Sequence, residues 1–173
     1  LNLGIRYGYI EQLDDELLRI SKESFDALSF NCYALSPDHK KMNHALEISG
    51  LPMIIGEYHF GTVDRGLAQS LWQVNSQKER GDAFQYYTEN AFAHRGLIGT
   101  GWFRWIDQNI NGRTDGENYN CGFIDVTDRP YPYMVDAAIE AAKSLYEIHS
   151  GTKTPFHQAP NAVGHSPIPD LWE

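Results

Sequence analysis

The run PMIIGEYHFG at residues 52–61 sets the architecture expected for this chain, because it is an apolar segment that ends abruptly at a carboxylate. Met53, Ile54 and Ile55 have the pattern of a strand buried on both faces, which is typical of parallel sheets. A carboxylate directly after such a strand lies either in a functional site or at the solvent edge of the core. The run alone leaves Glu57 open between these two interpretations.

Four segments repeat the order of a strand followed by a helix. The strand candidates are residues 1–8, 25–33, 52–61 and 97–107. Helices are predicted over residues 16–23, from Ser36 as N-cap to Gly50, from Ser76 to Gly96, and from Pro132 through Tyr146. A short extra strand is expected at residues 121–126, and residues 151–173 are expected to form a C-terminal surface tail. The strict alternation implies a parallel sheet with right-handed crossovers.

Such a sheet is either open and doubly wound or part of a (β/α)8 barrel. The chain has no G-x-G-x-x-G or Walker-type loop after its first strand, so the barrel is favoured and no cofactor is expected. Active sites of barrels lie at the carboxyl ends of the strands. The residues at these ends are Arg6, Tyr7, Asn31, Tyr33, Glu57, His59, Trp102, Trp105 and Asp107. Polar or aromatic residues at all four strand ends favour a functional role for Glu57.

The composition excludes several classes of partner. A chain of 173 residues with 42% hydrophobic and 13% aromatic residues can form one globular core. Its net charge of −9 and its scattered basic residues argue against nucleic acid as the main partner. It has no apolar run near the ~20 residues that a membrane span needs, so no membrane association is expected. The first residues do not form a signal peptide, but a start at Leu1 leaves the compartment unknown.

The cysteines, histidines and acidic residues show no complete metal motif. Cys32 and Cys121 have no zinc-type spacing and are interpreted as buried free thiols. The segment DQNING at residues 107–112 reproduces the opening of a calcium-binding EF-hand loop, but the twelfth position is Asn118 instead of glutamate. No metal site is therefore predicted.

The strand-end residues suit glycoside hydrolysis, which uses two carboxyl groups, one ionised and one donating a proton. Glu57 fits the ionised role, with Tyr33, Arg6 and His59 as candidate donors that stabilise its charge. Four aromatic residues are candidates for flat faces on which a sugar ring can stack: Trp102, Trp105, Tyr58 and Phe60. The alternative is that these rings fill the core.

Several motifs together resemble the β-agarases of glycoside hydrolase family 50, which belong to clan A of retaining barrel enzymes. The motifs are IGEYHFG at 55–61 with DRG at 64–66, GWFRWIDQ at 101–108, GR at 112–113, DGENYN at 115–120 and GFIDV at 122–126. The resemblance covers roughly residues 1–148. It implies that residues 1–150 are the C-terminal half of a catalytic (β/α)8 TIM barrel, with strands 5–8 and their helices.

The resemblance also implies roles for particular residues. Glu57 matches the nucleophile at the end of the seventh barrel strand, and Tyr33 would contact it. The strand ends and the motifs together give the expected substrate-binding residues: Arg6, Asn31, His59, Trp102, Trp105, Asp107, Gln108, Glu117 and Asn118. The implied substrate is a galactan-type polysaccharide or oligosaccharide, and the implied location is secreted or periplasmic.

The chain departs from the family pattern because it has no suitable acid/base residue. In clan A that glutamate follows an asparagine at the end of the fourth strand, whereas Glu89-Asn90 here lies in a predicted helix and Glu117-Asn118 in a loop. The missing N-terminal half-barrel or a second copy is therefore the expected partner, and the chain alone is expected to be inactive. Two alternatives are a non-catalytic carbohydrate-binding or scaffold half-barrel, and a β-galactosidase-like enzyme of the same clan.

Overall fold

The computed structural model describes residues 2, 6–68 and 70–164. In chain order the elements are β1 (Arg6–Tyr7), a single 3-10 turn (Ile10–Gln12), α1 (Asp15–Ser24), β2 (Leu28–Asn31), α2 (His39–Ser49), β3 (Met53–Tyr58), β4 (Trp72–Gln73), α3 (Gln77–Phe92), β5 (Leu97–Trp102), α4 (Pro132–His149) and β6 (Val163–Gly164).

The main sheet has four parallel strands in the order β1-β2-β3-β5, which is also their order along the chain. The predicted parallel α/β architecture is confirmed. The order contains no reversal, whereas a doubly wound sheet has a point where the strand order reverses. All four strands therefore direct their carboxyl ends to the same edge of the sheet.

One face of the sheet is covered by helices and the other is more open. In β3, Met53, Ile55 and Tyr58 are buried, whereas Ile54 and Glu57 are only half-buried. The expectation of a strand buried on both faces is therefore wrong for Ile54, which is only half-buried. The buried face forms the core with residues from β2 and α3.

Three helices begin within one residue of the predicted start. Asp14 caps α1 by accepting a hydrogen bond from the Leu17 N–H, Ser76 caps α3, and Pro132 begins α4. The Ser36 start is wrong, because the Asp38 carboxylate accepts hydrogen bonds from the Lys40 and Lys41 N–H groups and α2 begins at His39. Gly50 ends α2 with a φ of 69°, as expected of a C-cap glycine.

Several predicted ends differ from the structure. Helix α3 ends at Phe92, before Gly96, and β5 ends at Trp102, so residues 103–107 form a loop. The extra strand at residues 121–126 is wrong, since Ile124 forms only isolated bridges. Of the first predicted strand, residues 1 and 3–5 lie outside the described residues. In the predicted tail, β6 pairs antiparallel with β4.

Both cysteines are buried free thiols, as predicted. Burial raises the pKa of Cys32 to about 11 and that of Cys121 to about 12, so both thiols stay protonated and unreactive near neutral pH. Among the helices that the structure describes, none combines the length and apolar character of a membrane span.

Candidate active site

A cavity of about 230 Å³ lies at the carboxyl edge of the sheet, beside Glu57. Its lining comes from the loop after β1, the end of β2, the end of β3 with its following loop, and the loop after β5. The lining residues are Tyr9, Asn31, Tyr33, Glu57, His59, Leu71, Phe103, Arg113 and Glu117. All four parallel strands or the loops that follow them thus contribute to one site, as the barrel prediction requires.

Glu57 accepts polar contacts from three side chains. Arg6 Nη2 lies 2.8 Å from Oε1. Asn31 Nδ2 and the Tyr33 hydroxyl donate to Oε2 at 3.0 and 2.8 Å. Only 18% of the Glu57 side chain is exposed. Three donors around a half-buried carboxylate fix its orientation.

Gly56 makes room for the arginine in this arrangement. A Cβ at position 56 would lie 2.4 Å from Cδ of Arg6 and 3.3 Å from Oδ1 of Asn31. The Arg6 side chain therefore passes over the glycine on its way from β1 to Glu57. This is a close approach that any larger residue at position 56 would disturb.

Tyr33 acts as a neutral donor. Burial is the main cause that raises its pKa well above the usual value, and its hydrogen bond to Glu57 raises it further. The phenol therefore keeps its proton across the physiological pH range. A phenol that keeps its proton can donate to the carboxylate throughout that range.

His59 does not donate to Glu57, contrary to expectation. Its Nε2 accepts a hydrogen bond of 3.2 Å from the Leu71 N–H, and its ring contacts the ring of Tyr33 at a centroid distance of 5.0 Å. Burial lowers the pKa of His59 to about 3, so the imidazole is neutral. His59 forms part of the cavity wall behind Tyr33 and adds no positive charge to it.

Glu117 is a second carboxylate in the cavity wall. Gln108 Nε2 donates to its Oε2 at 2.7 Å, and Arg113 Nη1 lies 3.4 Å from the same oxygen. Gln108 itself is fully buried, and its Oε1 accepts a hydrogen bond of 2.6 Å from the Tyr119 N–H. The backbone contact fixes the orientation of the Gln108 amide, so its amino group must point at Glu117.

Six of the predicted binding residues are not part of the cavity lining. Two of them, Arg6 and Gln108, contact the lining residues Glu57 and Glu117, and the other four lie elsewhere. Trp102 packs in the core against Tyr58 and donates a hydrogen bond of 2.6 Å to the Cys121 carbonyl. Trp105 is 69% exposed and stacks on Phe123.

The other two of these residues hold loops together. Asp107 is buried, and Asn118 accepts a hydrogen bond from the Ala68 N–H and donates to the Ile110 carbonyl. Tyr58 and Phe60 are 1% and 0% exposed, so the expectation that they offer sugar-stacking faces is wrong.

Sequence reasoning missed four residues that line the cavity: Tyr9, Leu71, Phe103 and Arg113. Tyr9 and Phe103 each follow a strand end closely, which was the available signal. Arg113 lies 5.8 Å from the centroid of the Phe103 ring and pairs with Asp115 as well as Glu117. Leu71 lies in the loop between β3 and β4, and no sequence pattern pointed to it. The described residues contain no group of three or more metal-binding side chains arranged around a common point.

A parallel α/β sheet whose strand ends converge on a cavity with two carboxylates has the arrangement of an α/β enzyme active site. No family model matches the chain, but comparison with known proteins finds similar β-agarases. The chain is 40% identical over 129 residues to "Beta-agarase A" of Vibrio sp. (strain JT0107) and 37% identical over 123 residues to "Beta-agarase B" of the same strain. These matches cover 73% and 70% of this chain.

A solved structure described as an exo-beta-agarase superposes with a TM-score of 0.73 and 36% identity over 78% of the chain. The chain is a homologue of the β-agarases, which are glycoside hydrolases of family 50. It spans only 12% and 13% of the length of the two Vibrio relatives and 18% of the solved chain.

Proposed function

We propose that this chain supplies the nucleophile of a retaining β-glycoside hydrolase that acts on galactan-type polysaccharide or oligosaccharide. The proposal rests mainly on the three donors around Glu57 at the carboxyl edge of the sheet. An attacking carboxylate must be held in one orientation, and the contacts with Arg6, Asn31 and Tyr33 do this. The names of the homologues support the agarase-like substrate.

In a retaining mechanism Glu57 attacks the anomeric carbon and forms a covalent glycosyl-enzyme intermediate, which water then hydrolyses. A second carboxyl group donates a proton to the leaving oxygen and later removes one from water. Arg6 interacts with one oxygen of Glu57, and Asn31 and Tyr33 donate to the other. Both oxygens are thus oriented before the sugar arrives, which lowers the cost of reaching the transition state.

Glu117 does not fit the role of the proton donor. Its Oε2 already accepts a hydrogen bond from Gln108 and lies near the Arg113 guanidinium, so two donors occupy this oxygen. Such a carboxylate suits acceptance of hydrogen bonds from sugar hydroxyls on the wall of the cavity. The acid/base residue therefore comes from another part of the protein.

The source of that residue is the N-terminal half of the same barrel, carried by a longer polypeptide. Within the described residues, β1 and β5 are the sheet edges and each pairs on one side only. Ile98 in the edge strand β5 is 54% exposed. An apolar groove beside the end of β5 is lined by Trp105, Phe123, Val135, Ala138, Ile139 and Ala142. Four more strand-helix units would pair both edges and cover this groove, bringing the domain near the ~250 residues of a typical barrel.

The experiment compares Glu57→Gln with Glu11→Gln in a complete barrel, meaning this chain joined to such an N-terminal half. Glu57→Gln is expected to reduce hydrolysis of agarose oligosaccharides at least about a thousandfold, as loss of a catalytic nucleophile does in other hydrolases. Glu11 is an exposed surface carboxylate paired with Lys41, so its variant should keep full activity. Unchanged hydrolysis by Glu57→Gln would refute the nucleophile assignment.

A second candidate is a non-catalytic carbohydrate-binding half-barrel. It is favoured by the position of Glu89, the other candidate acid, which is buried in α3 and accepts hydrogen bonds from Gln85 and the Phe156 N–H. Titration of the isolated chain and of the complete barrel with agarose oligosaccharides separates the two functions. Binding without hydrolysis by the complete barrel would favour the binding module.

A further inference from the structure

A buried polar network lies behind the cavity, and none of its members lines the cavity. Arg80 of α3 is fully buried, although arginine is almost never buried without partners. Its guanidinium donates to Asn120 Oδ1 at 2.8 Å, to Gln77 Oε1 at 3.0 Å and to the Gly122 carbonyl. It also lies 4.7 Å from the centroid of the Tyr131 ring.

Asp107 is the negative partner in this network. The carboxylate is 4% exposed and accepts hydrogen bonds from the Asn120 amino group, from the Gly122 N–H at 2.6 Å and from the Tyr131 hydroxyl at 2.6 Å. Asn120 and Gly122 therefore each bridge Asp107 and Arg80. The two buried charges balance each other through shared partners rather than by direct contact.

The network closes the base of the loop at residues 107–122. Asp107 begins this loop, and Asn120 and Gly122 end it. The next contact outward joins Gln108 to Tyr119 through two hydrogen bonds, from the Gln108 N–H and from the Tyr119 N–H. Gln108 then orients Glu117 in the cavity wall. The position of Glu117 thus depends on a chain of contacts that starts at Asp107.

We propose that Asp107, Arg80 and Tyr131 are positioning residues that hold the loop at residues 107–122 so that Gln108 directs Glu117 into the cavity. The part of this inference that concerns sugar binding rests on the proposed function, whereas the ordering of the loop does not. Buried ionic networks contribute little net stability compared with apolar packing. A network of directional hydrogen bonds fixes the wall of a binding site in one orientation, which apolar side chains do not do.

The test compares Tyr131→Phe with Tyr133→Phe in the isolated 173-residue chain. Tyr131→Phe removes only the hydroxyl that donates to Asp107 and keeps the ring beside Arg80. Tyr133 is 53% exposed in the first turn of α4, two residues after Tyr131, and serves as the matched control. Asp107→Asn is the stronger variant, because it leaves the Arg80 charge without its counter-charge.

Two measurements follow the loop without any ligand. Backbone amide exchange of residues 108–122 is expected to accelerate at least about tenfold in Tyr131→Phe, because a hydrogen bond to a buried carboxylate is lost. The NMR signals of the Gln108 side-chain amide are expected to lose their protection, while exchange in β3 stays unchanged. The Tyr133→Phe variant should match the parent in both measurements. Unchanged loop exchange in both network variants would overturn the inference.

The third measurement is the dissociation constant for an agarose-derived tetrasaccharide, expected to rise about three- to tenfold in Tyr131→Phe. A loop that exchanges faster while the tetrasaccharide binds as before would overturn the positioning role and leave the network purely structural. If the parent chain does not bind the tetrasaccharide, the proposed function is in question. In that case the protection of the Gln108 side-chain amide, compared between Tyr131→Phe and the parent chain, tests the positioning role without a ligand.

Discussion

The Tyr33 hydroxyl, just past the end of β2, donates a hydrogen bond of 2.8 Å to Oε2 of Glu57 on the neighbouring strand β3. Asn31, the last residue of β2, donates to the same oxygen at 3.0 Å. A donor at the end of β2 and a donor just beyond it therefore fix one oxygen of a carboxylate on the next strand. This cross-strand arrangement is the feature of the cavity that most closely resembles a prepared nucleophile.

Removal of the Tyr33 hydroxyl should weaken the reaction more than it weakens the fold. Hydrogen bonds to charged groups contribute about 1.5–3 kcal/mol, so Tyr33→Phe should lower kcat/KM of the complete barrel about ten- to hundredfold. Tyr146→Phe, which changes a tyrosine that is 91% exposed, is the control. Steady-state kinetics on agarose oligosaccharides measure both, and equal activities would show that Tyr33 does not act on Glu57.

Substitution of Gly56 should disturb the Arg6 contact selectively. In Gly56→Ala the new methyl group would meet Cδ of Arg6, a flexible side chain that can move aside at little cost in stability. Loss of that contact should reduce kcat/KM about tenfold, which is the effect expected of one charge-assisted hydrogen bond. Gly99→Ala on β5, where the added Cβ would only make ordinary contact with Ile54, should leave kcat/KM unchanged.

The buried His59 should make the fold less stable in acid. Its pKa is about 3 in the folded chain and about 6.5 in the unfolded chain, so between these values only the unfolded chain binds the proton. The free energy of unfolding should therefore fall as the pH drops from 6.5 towards 3, by at most about 1.4 kcal/mol per pH unit for this group.

Urea denaturation at pH 7, 5 and 4 measures this slope. His59→Gln should lower stability at pH 7, since a buried side chain is replaced, but should show a shallower loss in acid. His157→Gln, at an exposed position, should keep the slope of the parent chain. A parent slope that His59→Gln leaves unchanged would place the acid sensitivity in other groups.

Substitutions of Trp102 and Trp105, the two tryptophans predicted to stack on sugar rings, should have different effects on stability. Trp102→Phe removes core packing and the hydrogen bond to the Cys121 carbonyl, so it should destabilise the chain by about 1–3 kcal/mol. Trp105→Ser should leave stability and oligosaccharide affinity of the isolated chain nearly unchanged, because its ring is largely exposed and outside the cavity lining. In the complete barrel Trp105→Ser should weaken the proposed contact between halves, measured by thermal unfolding.

Local patterns predicted the parts of the fold that depend on nearby residues. The apolar run Met53–Ile55 indicated β3 correctly, and Glu57 lies near the end of that strand in the wall of the cavity. The capping residue of α2 was missed because Ser36 and Asp38 both suit an N-cap, and only the structure shows which one reaches the free N–H groups.

The rest of the site depends on contacts between distant residues. The identity of Trp102 and Trp105 as aromatic residues did not reveal which way their rings face. One packs against Tyr58 and the other against Phe123. The position of Glu117 depends on the hydrogen-bond partners that Arg80 and Asp107 share. Arg80 and Asp107 lie far apart in the sequence. No local periodicity encodes such a connection.

The most direct test of the central claim is covalent labelling of this chain with a 2-fluoro β-galactoside that carries a dinitrophenolate leaving group. Such a leaving group departs without protonation, so the missing acid/base residue is not required. We expect a mass increase of one fluorosugar on the peptide that contains Glu57, and no labelling of Glu57→Gln. Labelling of a different carboxylate, or of Glu57→Gln to the same extent as the parent chain, would contradict the assignment of Glu57 as the nucleophile.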